Sequence, residues 1–450
     1  MYKKKCRNTI ENYRPVSILN TFSKIYERYI HDSITPFIDK CLSEFIAAYR
    51  KSYSSSHVLI RLIENWKMEL DNKKFVGAVL MDLSKAFDCI PHELLIAKMN
   101  AYGLSENTLT FFFSYLKRRK QNVRINNTYS VFQLLLSGVP QGSILGPILF
   151  NIFINDLFLF IKRAELHNFA DDNTISSTSN NLNELISTLE FESNIATQWF
   201  RDNSMIVNPE KFQAIIIDRK NQKNNPQILT IDGKEINSTS LVSLLGLEID
   251  SKLNFDSHIS KLCKKSAGQL NALCRLGYLI GFEEKKILIN SFIYANFNYC
   301  PLVWHFSSKK SINKIENIQK RALRFLLHDY SSNYETLLKK ADRCTMEVKR
   351  LRTLALEIFK ALNEKSPSFI RNYFEKNDSS ISKKYDLKIP VRNTVAYGDK
   401  SLRCLAPRIW NSLPIDLKKE NSYEKFKGEI NKWFGPTCKC SLCSYMNNDK

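Results

Sequence analysis

A chain of 450 residues with 44% apolar and 12% aromatic residues can bury sizeable cores, which excludes a disordered chain and leads us to expect two or three domains. The net charge of +21 points to a polyanionic partner, and its distribution sharpens that reading. Residues 1–250 carry 29 Lys+Arg against 26 Asp+Glu, whereas residues 251–450 carry 37 against 19, so the excess lies almost wholly in the second half. The eleven cysteines are scattered and odd in number, which favours a reducing compartment over a disulfide framework. No apolar run follows the basic opening "MYKKKCRNTI", so the chain reads as neither secreted nor membrane-spanning.

In chain order, the first informative segment is "VGAVLMDLSKAFDCIPHELL" at 76–95. Val76, Ala78, Val79, Leu80 and Met81 form an apolar run suited to a buried central strand, and Asp82 appears at its end. A carboxylate there is costly unless something pairs with it, although an Asp that caps a following helix would also fit. The basic run Lys117–Lys120 suits phosphate contacts or a solvated loop. "SGVPQGSILGPILFNIFINDL" at 137–157 predicts a Gly/Pro-rich, backbone-exposed turn that gives way to a helix. The apolar stretch 144–161 contains Gly146, Pro147, Asn151, Asn155 and Asp156, so a buried helix is expected rather than a spanning one.

"HNFADDNTIS" at 167–176 reads as strand, tight turn, strand, with Asp171 and Asp172 at the tip. Adjacent side chains on an extended strand point to opposite faces, so two neighbouring acids converge only at a sharp bend. Turn chemistry alone also accounts for Asp at such positions. Taken with Asp82, however, three carboxylates would repel one another unless divalent cations neutralised them. Magnesium prefers oxygen ligands and leaves positions for substrate phosphates, and paired ions of this kind serve phosphoryl transfer.

Further along, 257–276 and 311–327 predict helices with one apolar stripe each: Ile259, Leu262, Cys263, Leu270 and Leu273 in the first, Ile312, Ile315, Leu323 and Leu326 in the second. Lys261, Lys264 and Lys265, and Lys314, Lys320, Arg321 and Arg324, fall off those stripes and suit a nucleic-acid backbone. Near the end, Cys438, Cys440 and Cys443 have metal-ligand spacing, but a structural zinc site needs four ligands and no His or Cys follows. A Zn2+ site there would have to be truncated or completed by another molecule.

The order "LMDLSKAFD", "SGVPQGSILGPILF", "FADD" resembles the palm motifs of reverse transcriptases, in particular those of non-LTR (LINE-type, jockey-like) retrotransposons. "NYRPVSILNTFSKIYERYI" at 12–30 and "EFIAAYRKSYSSSHVL" at 44–59 resemble the fingers blocks of that family, "WFRDNSMIVNPEKFQAIII" at 199–217 its lysine motif and "LLGLEID" at 244–250 its primer grip. The resemblance implies an α+β right-hand polymerase with an antiparallel-sheet palm, fingers and an α-helical thumb, followed by a basic helical C-terminal region. It divides the chain into fingers and palm at 10–255, a thumb-like region at 256–335 and a C-terminal region at 336–450. It also implies the reverse-transcriptase portion of an element, without the endonuclease domain that members often carry upstream.

Carried over by motif position, Asp82, Asp171 and Asp172 would hold two Mg2+ ions with the Leu83 carbonyl as a further ligand. Phe87 would be the steric gate against a ribose 2′-hydroxyl. Gln141 and Gly142 would line the nascent base pair and template, and Lys211 would protonate the leaving pyrophosphate. Arg14, Arg50 and Lys51 are candidate triphosphate contacts, although Ala48-Tyr49-Arg50 departs from the Phe-Gly-Phe-Arg-like run common in the family. The implied partners are an RNA template, a DNA primer or target DNA, and dNTPs. The implied location is the nucleus or cytoplasm, and the oligomeric state is left open. The competing reading is a catalytically inactive nucleic-acid-binding remnant. A ribonucleotide polymerase is opposed by Phe87.

Overall fold

The computed structural model describes Tyr13 and residues 16–219, 226–377 and 385–435. Arg14 and the Cys438, Cys440 and Cys443 cluster, hence the zinc expectation, lie outside the described residues. The described residues fall into two compact units. One lies within Met1–Lys51, Gly77–Ile216 and Asn225–Thr239, the other within Ser52–Val76, Ile217–Asn224 and Ser240–Lys450.

In the first unit, strand β1 (Phe75–Ser84) is buried from Val76 to Met81, as its unbroken apolar run demands. Two short, exposed hairpin-like pairs follow: β2 (Lys120–Gln121) with β5 (Gln133–Leu134), enclosing β3 (Arg124–Ile125) with β4 (Thr128–Tyr129). The central sheet then adds β6 (Glu165–Phe169), β7 (Asp172–Ser179), β8 (Ile206–Val207) and β9 (Gln213–Ile217) in the order β6-β7-β1-β8, with β9 also on β1. β6 and β7 are antiparallel, as are β1 and β8, where Leu83 faces Val207. A further hairpin, β10 (Ile228–Ile231) with β11 (Lys234–Asn237), turns at Asp232-Gly233 with positive φ at both residues, the conformation that an Asp-Gly pair favours.

Two helices cover this sheet's neighbourhood. Leu145–Ile154 is buried except at Pro147, so this part of the apolar 144–161 stretch is a core element, whereas Leu159 and Phe160 near its end are exposed. Among the described residues no helix is long and apolar enough to cross a membrane. Leu182–Asp202 is capped by Asn181 and buries Leu185, Leu189, Ala196, Trp199 and Phe200 along one stripe. Leu185 and Leu189 close on β1 at Gly77, where an added Cβ would lie 2.7 Å from Leu189.

The second unit is mainly helical, with the hairpin β12 (Leu241–Leu244) and β13 (Leu247–Asp250) at its start. Helices Asp256–Arg275 and Lys309–Leu327 bury Ile259, Cys263 and Leu270, and Ile315, Leu323 and Leu326, as their stripes predict. Lys261, Lys264 and Lys265 are exposed. Lys314 is half-buried and donates across the helix pair to Ser260 at 2.9 Å, while Arg321, exposed as expected, donates to Asn271 at 2.8 Å.

The compact units cut across the division at 255. Helix Ser55–Asp71, inside the stretch assigned to fingers and palm, belongs to the second unit because its buried polar groups find partners there. His57 lies 3.0 Å from Glu357. Asp71 accepts from Thr394 at 2.6 Å and from the Asn393 amide at 3.0 Å, and pairs with Arg403. Lys67, fully buried, donates to the Lys400 carbonyl at 2.7 Å and stands over the Phe306 ring.

Burial pushes the Lys67 ammonium down to about 8, against the attraction of Glu64. Its folded value lies below its ordinary 10.5, so between these limits the unfolded chain holds a proton that the folded chain has released. Stability from this group therefore rises with pH across that window. Lys67→Met should remove the effect. Thermal melts of the two chains from pH 8 to 10.5 should diverge with the natural chain gaining, and parallel curves would contradict the assignment.

Candidate functional site

Three backbone features bring the motif residues to one region of the first unit. β1 ends at Ser84, Lys85 takes a left-handed conformation (φ 54°), and a 3-10 turn, Ala86–Asp88, follows in place of the expected helix start. Asp82 is exposed, while the Leu83 side chain is buried. Phe87 is half-buried. Its ring stacks on Phe150 of the buried helix at 4.5 Å and meets Tyr49 edge-on at 6.2 Å. A side chain gripped from two sides is a rigid wall, which is what discrimination by shape requires.

The Gly/Pro loop 137–142 is stitched to that turn. Val139 N–H donates to the Phe87 carbonyl and Gly138 N–H to the Ile90 carbonyl, both at 2.8 Å. The Ser137 hydroxyl donates to the Asp88 carbonyl at 3.0 Å. Gly138 has φ +84°, and an added Cβ would stand 2.7 Å from the Asp88 carbonyl oxygen and 2.8 Å from its Cα, so no larger residue fits. The Gln141 amide donates to Asp88 at 2.8 Å, so in this structure the group expected to meet a base is held by a carboxylate. Gly142 (φ +108°) is exposed and lies against Ser17, whose N–H donates to the Gln141 carbonyl at 2.8 Å.

The acidic turn is a tight hairpin as expected, but only Asp171 lies at its tip, Asp172 being the first residue of β7. Phe169 pairs with Asp172, Ala170 and Asp171 form the loop, and Ala170 takes φ +56°. Two buried asparagines that the sequence reading missed brace it from beneath. Asn168 donates to the Ala170 carbonyl at 2.7 Å and to the Asn173 side chain at 3.0 Å, and Asn173 donates to the Asp171 carbonyl at 3.2 Å. The backbone of Asn168 is held in turn by Phe45 and Ala47, each through a 3.2 Å bond. Their only sequence signal is an Asn on each flank of "FADD".

Glu27 was also missed. Buried in the helix Thr21–Cys41, it accepts from Ile144 N–H at 2.7 Å, from Leu145 N–H at 3.4 Å and from the Tyr115 hydroxyl at 2.9 Å. It thereby caps the Leu145–Ile154 helix, whose N-cap residue makes no side-chain cap bond. Burial, reinforced by this carboxylate, pushes the Tyr115 hydroxyl well above its ordinary range.

β7 begins at Asp172 and is hydrogen-bonded to β1, which ends two residues past Asp82, so Asp82 and Asp172 stand on neighbouring strands and Asp171 in the loop that leads into the second of them. Among the described residues, no group of three or more His, Cys, Asp or Glu side chains is gathered as a ready metal cage. The donors nonetheless suit a hard cation: oxygen ligands at strand ends, with Asp82 open to solvent.

The basic candidates divide. Arg50, only 10% exposed, is committed to the local fold: it pairs with Asp39 at 3.1 Å and donates to the Ser43, Ile46 and Asp39 carbonyls. It thus ties the end of the Thr21–Cys41 helix to the loop after it, rather than offering its fork to a triphosphate. Lys51 is exposed, and Lys211 is exposed at the end of the 3-10 turn Pro209–Lys211. Lys117, Arg118 and Lys120 of the basic run are exposed as well.

Residues 2–249 match the family model described as reverse transcriptase (RNA-dependent DNA polymerase). The chain is similar to the probable RNA-directed DNA polymerase from transposon BS of Drosophila melanogaster, 27% identical over 332 residues covering 70% of this chain and 36% of that protein. The RNA-directed DNA polymerase from mobile element jockey of the same species is 26% identical over 331 residues, 70% and 35% of the two chains. The aligned part thus spans about a third of the length of these relatives. Among solved structures, the apo telomerase of Candida tropicalis gives a TM-score of 0.39 at 14% identity, over 78% of this chain and 55% of that one.

Gly138→Ala should destabilise the first unit by about 1–3 kcal/mol more than Gly103→Ala. Both positions have positive φ, but an added Cβ at Gly103 meets nothing within 4 Å. Denaturant titrations of the two variants isolate the clash, and equal midpoints would show that the loop yields at no cost.

Proposed function

The chain belongs to the reverse transcriptase (RNA-dependent DNA polymerase) family, and we propose that it copies an RNA template into DNA by adding deoxynucleotides to a primer 3′-hydroxyl. The observation that carries the reading is the placement of Asp82 and Asp172 on hydrogen-bonded strands, with Asp171 in the adjoining hairpin loop, together with a Phe87 ring, five residues past Asp82, gripped by Phe150 and Tyr49.

In this reading, Asp82, Asp171 and Asp172, with the Leu83 carbonyl, hold two Mg2+ ions. Such ions, when bound, activate the attacking hydroxyl and stabilise the leaving oxygen. The residues of the chain do the rest. The braced hairpin fixes where Asp171 and Asp172 stand, and β1 fixes Asp82, so the carboxylates are positioned by sheet hydrogen bonds rather than by a mobile loop. Phe87 presents its ring where a ribose 2′-hydroxyl would project and favours deoxynucleotides by shape. Gly142, without a side chain and exposed, admits template or base pair closely, and Gln141 meets it after leaving Asp88. Lys211 serves as a proton source for the departing pyrophosphate, and Lys51 as a phosphate contact. RNA template, DNA primer and dNTPs are the partners of this reading. The exposed lysines of the Asp256–Arg275 helix supply contacts to the nucleic-acid backbone, and a nuclear or cytoplasmic site of action follows from these partners.

Primer extension on a poly(rA)/oligo(dT) hybrid with Mg2+ tests the proposal. The natural chain should incorporate dTMP, and an Asp171→Ala, Asp172→Ala chain should lose at least about 10²-fold while still binding the hybrid. Equal binding without incorporation by either chain would instead favour the nucleic-acid-binding remnant. Phe87→Val should raise the ratio of ribo- to deoxynucleotide incorporation by about 10- to 100-fold, read by competing the two substrates. An unchanged ratio in a chain of unchanged melting temperature would remove Phe87 from the gate.

A further inference from the structure

The second unit contains an open cavity of about 930 Å3, in the size range of small-molecule pockets, between the start of the Ser55–Asp71 helix, the C-terminal part of the Met346–Leu362 helix and Asn421–Glu424. No role described above uses it. Its buried charge is internally settled: the Glu357 carboxylate accepts from Ser366 at 2.7 Å, with His57 at 3.0 Å and the Lys360 ammonium at 3.9 Å.

The rim of this cavity has a different character. Tyr423 is half-buried and ends a column of aromatic rings that runs inward. Its ring meets Phe359 at 6.1 Å, Phe359 stacks on Phe426 at 4.4 Å and 24°, and Phe426 stacks with Trp410 at 5.9 Å and 27°. The three inner rings are buried, so Tyr423 is the ring of this column that reaches solvent.

Three ammonium groups surround that ring: Lys360 at 5.7 Å from its centre, Lys427 at 5.9 Å and Lys365 at 6.0 Å. Lys365 and Lys427 are exposed, and among the described residues neither is ion-paired; Glu424 is the nearby acid on the rim. Lys360 is offset by Glu357, but the like charges of Lys365 and Lys427 about the same ring repel one another and gain from an anion placed between them. A half-exposed aromatic ring flanked by cations is the chemistry that holds single strands, with a base stacked on the ring and the flanking phosphates on the ammonium groups.

We propose that Tyr423, with Lys360, Lys365 and Lys427, forms a stacking seat for an unpaired nucleotide of a single-stranded nucleic acid at the mouth of this cavity. The proposal rests on the polymerase reading only in that the chain handles nucleic acid, and it places a second contact in the C-terminal region whose role the motifs leave undefined. An acidic peptide would satisfy the lysines but would leave the ring unused.

Fluorescence anisotropy on the full chain, with labelled oligo(rU) and oligo(dT) of equal length, tests it. Tyr423→Ala should weaken single-strand binding by about 5- to 100-fold and Tyr423→Trp should retain it. Lys365→Gln with Lys427→Gln should lower the slope of log affinity against log salt by about 1.4. Oligo(rU) carrying 4-thiouridine should crosslink to the peptide that contains Tyr423. Tighter binding of oligo(rU) than of oligo(dT) would assign the seat to RNA, and equal binding to either strand. Natural-strength binding by Tyr423→Ala at an unchanged melting temperature would overturn the proposal, as would oligoglutamate that competes as well as oligo(rU). Should Tyr423→Ala fail to fold, loss of the salt slope and of the crosslink decides in its place. The Asp171→Ala, Asp172→Ala chain should bind the single strand as the natural chain does. Tyr423-dependent binding without incorporation would refute the polymerase reading and leave the seat standing.

Discussion

The backbone of β1 is buried from Val76 to Met81, and a buried strand must satisfy its amides and carbonyls through neighbouring strands. That requirement draws β7 to one side of β1 and β8 to the other. Because β7 starts at the acidic turn and β1 runs two residues past Asp82, the same hydrogen bonds that make the core also bring the acids to neighbouring strands. The carboxylates are tolerated there because the strand ends meet solvent, so the core is not asked to bury a charge.

From this arrangement the other parts follow in layers. The 3-10 turn after β1 directs Phe87 onto Phe150, and the loop 137–142 closes over the turn through the one position where only glycine fits. The helix behind, Leu145–Ile154, has an N-cap residue, Ile144, without a side-chain cap bond and is capped by the Ser143 hydroxyl and by Glu27. The hairpin is stiffened from within by Asn168 and Asn173 and from its outer edge by residues 45–47. Apart from the asparagine brace within the hairpin, these contacts join segments far apart in the chain, which is why a few local motifs can hold a common geometry.

Much of this was legible in the residues. The unbroken apolar run marked β1 as central, polar turn residues between apolar flanks marked the hairpin, and a 3.6-residue stripe marked the helices Asp256–Arg275 and Lys309–Leu327. What was not legible was the pairing of polar side chains, in several cases with partners distant in sequence. Nothing local shows that Glu27 caps a helix 117 positions on, or that Arg50 turns inward to Asp39. Likewise, helix Ser55–Asp71 looked like fingers because of its neighbours in sequence, whereas Asp71 and Lys67 find their partners more than 300 positions away, among residues 393–403. Long-range pairing of polar groups carries no periodicity, so a pattern search does not detect it.

The central claim is that Asp82 and the Asp171-Asp172 turn hold divalent cations together. Mn2+ binding to the full chain, followed by water-proton relaxation, tests this without reference to turnover. The account predicts that Asp82→Asn and Asp171→Asn each weaken the same Mn2+ sites. If Asp82→Asn bound Mn2+ as the natural chain does while Asp171→Asn did not, the two strands would not share a metal centre and the account would be wrong.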